Sequence, residues 1–150
     1  MARALARSLL ECARMRATAP FARRFRALVL LQASLAAGAV YDLAFAALMV
    51  AAPGLPARVL GLPLPGEPFY LWILATLLAM LAALYVLAAR DPRRYSGVIA
   101  VAIAGRLGGA LAFAWAAFRE PALARGLLPL AASDLLLGLA PAAFWAPIRR

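Results

Sequence analysis

The stretch SGVIAVAIAGRLGGALAFAWAAF, Ser96–Phe118, is an apolar run that carries one full charge, Arg106, near its middle. As a helix rising about 1.5 Å per residue it is long enough to cross the roughly 30 Å hydrocarbon core of a bilayer. A lone charge at the centre of such a span costs about 2.5–3.5 kcal/mol on insertion scales. The rest of the chain is therefore expected to bring Arg106 partners of opposite sign.

Composition agrees with a membrane setting. Of 150 residues, 67% are hydrophobic and 15% charged, and the mean hydropathy is +0.88; soluble domains carry roughly 25% charged residues. Four spans of about 20 residues with short connections use nearly all of this length, which leaves no room for a soluble catalytic domain. The net charge of +10 comes from arginines that flank apolar runs. There they set orientation and meet anionic lipid headgroups, so nucleic acid is not an expected partner. The sequence contains no histidine and a single cysteine, Cys12. His-ligated haem, the common His-containing zinc and copper sites, thiolate clusters and intrachain disulfides are excluded by that inventory. No cofactor and no metal are expected, and Cys12 reads as a small apolar residue.

Residues 1–27 form an Arg-rich segment with one acid, Glu11. Leu5, Leu9 and Cys12 recur at helical spacing away from Arg3, Arg7 and Arg14, the pattern of an amphipathic helix lying on the membrane surface. Met15 offers an alternative start of translation. Ala37-Gly38-Ala39 looks like a signal-peptide cleavage site, but the apolar run continues to Ala52, about twice the length of an ordinary leader core. A retained span is expected instead.

The four-span domain, residues 28–150, divides at its breakers. Span 1 covers about 28–51 and ends at Pro53-Gly54-Leu55-Pro56, and one interfacial turn around Arg58 is expected in the Pro/Gly-rich connection. Span 2, about 69–89, opens at Glu67-Pro68 and closes before Asp91-Pro92. Span 3 starts at Ser96 as an N-cap. Span 4, about 123–145, follows Glu120-Pro121 and is stopped by Pro147. Tyr70, Trp72, Tyr95, Trp115, Phe118, Phe144 and Trp145 lie near span ends, as aromatic belts do. Outside the spans, one side receives twelve arginines and the other three. By the positive-inside rule both termini are cytoplasmic.

Three ionisable residues remain inside spans: Asp42, Arg106 and Asp134. Counted from the α-helical rise, they lie roughly 14, 18 and 16 Å from the outer ends of their helices, in one layer near the midplane. Charges of both signs at one depth predict pairing across spans 1, 3 and 4. Two carboxyls against one guanidinium leave a formal charge of −1, most simply relieved if one carboxyl keeps its proton. Such a cluster can be purely architectural, fixing which helices meet. Alternatively it is a polar site for a headgroup, a quinone-like ring or a small solute, or a proton relay.

Small residues accompany the charges. Gly105, Gly109 and Ala112 share a face of span 3 with Arg106 at its flank, and Gly38 and Gly138 sit four residues from Asp42 and Asp134. All four glycines are read as helix-packing positions. Tyr41-Asp42-Leu43 and Ser133-Asp134-Leu135 hint at pseudo-symmetry between spans 1 and 4, although such matches come cheaply in an Ala/Leu-rich chain. Span 2, with Thr76 and Tyr85 but no charge, reads as a wall against lipid. Pro141 frees the carbonyl of Leu137 and is placed to kink span 4. No catalytic residue is visible, since the only base near Ser133 is Asp134, which points about 100° away around the helix.

Leu60-Gly61-Leu62-Pro63, Asp91-Pro92-Arg93-Arg94-Tyr95 and Gly105-Arg106-Leu107-Gly108, within roughly Val40–Arg119, give the chain a layout that resembles the small bacterial four-span membrane proteins of the DoxX-like kind. The resemblance implies a place in the bacterial inner membrane and, by analogy with some DoxX relatives, a membrane subunit of a quinone-linked redox complex. No catalytic residue of that family maps onto this chain.

The expectation is thus an all-α integral membrane four-helix bundle with an N-terminal interfacial amphipathic helix. It is read as a non-catalytic accessory or anchoring subunit in a homo-oligomer or larger membrane complex. Its Asp42–Arg106–Asp134 layer orders the helices and offers a place for a small lipophilic ligand. A proton-coupled carrier and a quinone-linked subunit are the alternatives.

Overall fold

A computed structural model describes the backbone of residues 2–149 and the side chains of residues 23–148. All its regular structure is helical: α1 (Ala2–Ala51), α2 (Gly54–Leu60), α3 (Pro68–Arg90), α4 (Ser96–Arg119) and α5 (Ala124–Arg149), with a single 3-10 turn, Pro121–Leu123, ahead of α5. Among the described residues four segments are long and apolar enough to cross a membrane: Arg23–Ala51, Pro68–Arg90, Ser96–Arg119 and Pro121–Ile148.

The faces these helices leave open are apolar. Val101 and Leu111 are each 72% exposed and Leu136 69%. Surface of this kind and extent is untenable in water and ordinary against acyl chains.

Helix ends follow local chemistry. Glu67 caps α3 in extended conformation with Pro68 in the first turn, where a missing N–H costs nothing. Gly61 ends α2 with φ +64°, a left-handed position in which its N–H reaches back to the Arg58 carbonyl. The interfacial turn expected around Arg58 is this short helix.

Three details depart from expectation. Tyr95, rather than Ser96, holds the cap position of α4, because the preceding turn is tied by Arg94 N–H donating to Asp91 Oδ1 at 3.1 Å. Pro147 lies inside α5, which continues to Arg149. It removes one backbone hydrogen bond, and a helix can tolerate that loss near its end. The backbone of α1 passes the residue 27/28 boundary without a break; the side chains on which an amphipathic surface helix would depend, those before Arg23, lie outside the described residues.

Packing is unequal on the two sides of the charged layer. Toward the termini, Leu31, Leu35 and Ala39 of α1 close against Ala82, Tyr85 and Ala88 of α3 and Ile99 and Ala102 of α4. Gln32 Nε2 donates to the Ala89 carbonyl at 2.8 Å, joining α1 to α3. On the other side, α2 and the Pro-rich connection fold over the helix ends. The start of α5 meets α2 at Gly126, where a β-carbon would overlap the Leu60 carbonyl oxygen.

That contact is backbone against backbone, so neither partner can rotate away. Gly126→Ala is expected to destabilise the protein by about 1–3 kcal/mol, as overpacking does, read as a lowered Tm in detergent. Gly97→Ala, where a β-carbon meets nothing within 4 Å, is the control expected to leave Tm unchanged or raise it.

Candidate functional site: a guanidinium held by four helices

Arg106 stands on the buried stripe of α4 formed by Ala102, Arg106 and Ala110. It is therefore central to the packed face and not at its flank. Gly105, one residue and about 100° away, is exposed, and a β-carbon there would meet nothing within 4 Å. No described residue of the chain packs against this glycine.

The guanidinium is engaged on every nitrogen. Nη2 donates to Asp42 Oδ1 of α1, Nη1 donates to Asp134 Oδ1 of α5 at 2.6 Å, and Nε donates to the Tyr85 hydroxyl of α3 at 3.1 Å. Its central carbon lies 5.5 Å from the ring centroids of both Tyr41 and Tyr85, within cation–π range. Arg106 is 6% exposed and Asp42 fully buried. A second link crosses from α1 to α5 one residue earlier on each helix, where the Tyr41 hydroxyl and Ser133 Oγ are 3.0 Å apart.

The structure thus brings Asp42, Arg106 and Asp134 together, and it adds two residues. Tyr85 corrects the reading of span 2 as a wall, since α3 supplies the acceptor for the Nε donor. Tyr41 places an aromatic ring against the cation. One sign of Tyr85 was present in the sequence: a guanidinium has five N–H donors, more than two carboxylates in one layer readily take up.

The other three glycines make room for these side chains. A β-carbon at Gly109 would lie 2.5 Å from Asp134 Oδ2, one at Gly38 would lie 3.2 Å from the Tyr85 ring, and one at Gly138 would lie 3.1 Å from Arg106 Cβ. Each therefore clears space for a member of the cluster.

One atom remains without a partner. Asp42 Oδ2 is buried and accepts no hydrogen bond among the described residues. A buried acceptor left unsatisfied costs about 1–3 kcal/mol.

Beside this cluster lies a cavity of about 280 Å³. Its floor holds Tyr41, Asp42, Arg106 and Asp134. Its walls are apolar side chains of the long helices, Phe45, Leu74 and Leu130 among them, and its roof comes from α2 and the connection after it, including Ala57, Leu60 and Pro63. Asp134 retains 13% side-chain exposure. An apolar chamber with a few converging polar groups at one end has the form of a small-molecule site, just below the usual range of about 300–1,000 Å³.

No protein-family model, no curated protein and no solved structure matches the chain.

Mutual dependence of the charges has a measurable signature. Arg106→Leu alone leaves two acids without a counter-ion and is expected to cost about 3–5 kcal/mol. Adding Asp42→Asn and Asp134→Asn to it should recover part of that loss, because no charge is then stranded. Equal Tm values for the single and triple variants in detergent would show that the three side chains do not act as a unit.

Proposed function

We propose that this chain is a small multi-pass protein of the bacterial inner membrane that binds one lipophilic molecule between α2 and the Asp42–Arg106–Asp134 layer. In this reading it is an accessory or anchoring subunit without catalytic chemistry of its own. Its four spans form a bundle with both termini in the cytoplasm, the orientation favoured by twelve arginines on the side of the termini against three on the other.

The observation that carries the proposal is the asymmetry about the charged layer. Toward the termini the helices close into an apolar core, whereas on the α2 side the same helices leave a cavity that reaches the charges. A cluster serving only to order the helices has no use for such a chamber, because packing the space with side chains would be more stable. A lipophilic molecule entering it gains from apolar burial along its length and from hydrogen bonds at one end.

Catalysis is the weaker reading. The polar groups of the chamber are two carboxyls, a guanidinium and a tyrosine, and the nearby Ser133 donates to the Leu130 carbonyl at 2.9 Å. None of these forms a nucleophile with an adjacent base.

Native mass spectrometry of the protein extracted gently from its own membrane tests the proposal. The expected result is a stoichiometric lipophilic adduct that disappears in Ala57→Trp, a substitution that fills the roof of the cavity. If the wild-type protein carries no adduct and arrives only with other polypeptides, the ligand reading is wrong.

A further inference from the structure

We infer that the polar head selected by this cavity is a protonated amine, carried on a single short apolar tail. The inference rests on reading the cavity as a ligand site and adds the chemical class of the ligand.

With both carboxyls ionised the floor carries a formal charge of −1, which either a retained proton or a bound cation relieves. Two carboxyl groups face one guanidinium, and among the described residues no other charged side chain lines the cavity. Arg106 has already committed three of its five N–H donors, one on each nitrogen, to Asp42, Asp134 and Tyr85. It is also nearly closed off, at 6% exposure. The carboxyls, by contrast, are incompletely used. Asp42 Oδ2 has no donor among the described residues but is closed off, so the acceptor within a ligand's reach is Asp134, the most open charge of the cluster.

Carboxylate oxygens only accept hydrogen bonds, so the head that completes them must donate. An ammonium brings three donors and the missing positive charge, and a charge-assisted hydrogen bond is roughly twice as strong as a neutral one. A hydroxyl brings one donor and no charge. A carboxylate or phosphate brings neither, and adds repulsion in a site shielded from water.

The wall next to the floor suits the same head. Tyr41 and Phe45 both line the cavity and stack with ring centroids 5.5 Å apart, presenting aromatic surface that attracts a cation. Beyond them the lining is aliphatic and proline-rich, and about 280 Å³ suits one short chain better than a two-tailed lipid.

Octylamine, 1-octanol and octanoate share one tail and differ in head charge. Each is dialysed at neutral pH between nanodiscs of phosphatidylcholine holding the full chain and empty discs of the same lipid, so that partition into lipid cancels. The expected result is that protein-dependent retention of octylamine exceeds that of octanoate by about tenfold or more, equivalent to ~1.4 kcal/mol, with octanol between. Asp134→Asn should shrink the preference for octylamine over octanol toward parity, and its Tm in the same discs separates that effect from misfolding. The wild-type ranking is decisive without the variant. Equal retention of all three, or a preference for octanoate, overturns the amine assignment while leaving a lipophilic site. No excess of any probe over empty discs overturns the ligand reading beneath it as well.

Discussion

A guanidinium in the middle of a helix long and apolar enough to cross a membrane is the point on which this structure converges. Arg106 cannot shed its charge, and on a helix alone in lipid it would be costly to insert. The cost is met by groups from three other helices: Asp42 from α1, Asp134 from α5 and Tyr85 from α3. Because each helix contributes one hydrogen bond to the same planar group, rotation or sliding of any one of them breaks a bond that lipid cannot replace. Packing of alanine and leucine surfaces gives little discrimination of that kind, since lipid tails are as apolar as the helices themselves. The cluster is the point at which side chains of the four long helices meet.

The glycines belong to the same logic. In many membrane helices small residues let two backbones approach, but here Gly38, Gly109 and Gly138 face the Tyr85 ring, the Asp134 carboxylate and the Arg106 stem. They give bulky polar groups room to reach one point. Gly126 is the exception that does serve a close backbone approach, and it fixes α2 against the start of α5. Through that contact the roof of the cavity is tied to the helix that carries Asp134, so chamber and charges share one support.

The four spans were legible because their ends are marked by residues that lipid and helix geometry both reject. Glu67-Pro68, Asp91-Pro92 and Glu120-Pro121 interrupt apolar runs of the right length. The common depth of Asp42, Arg106 and Asp134 was also legible, since it follows from counting residues along helices of known rise. Tyr85 was signalled only by the surplus of guanidinium donors and was not located, because depth counted on α-carbons ignores the reach of an arginine and a tyrosine toward each other. The face of α4 was misjudged for a related reason. Gly105 and Gly109 looked like the packing stripe, but the charge has to point where its partners are, and that placed Arg106 at the centre. The cavity depends on how residues 53–66 return over the helix ends, a long-range arrangement for which spacing along the chain carries no information.

The central claim is that one guanidinium joins carboxyls from two helices within the bilayer. Solid-state NMR on protein reconstituted in lipid, with ¹⁵N in arginine and ¹³C in aspartate carboxyls, measures it directly through the dipolar coupling between Arg106 Nη and those carbons. The account predicts two carboxyl signals at direct ion-pair range, one lost in Asp42→Asn and the other in Asp134→Asn. A guanidinium that shows coupling to neither, or only to lipid phosphate, would contradict it.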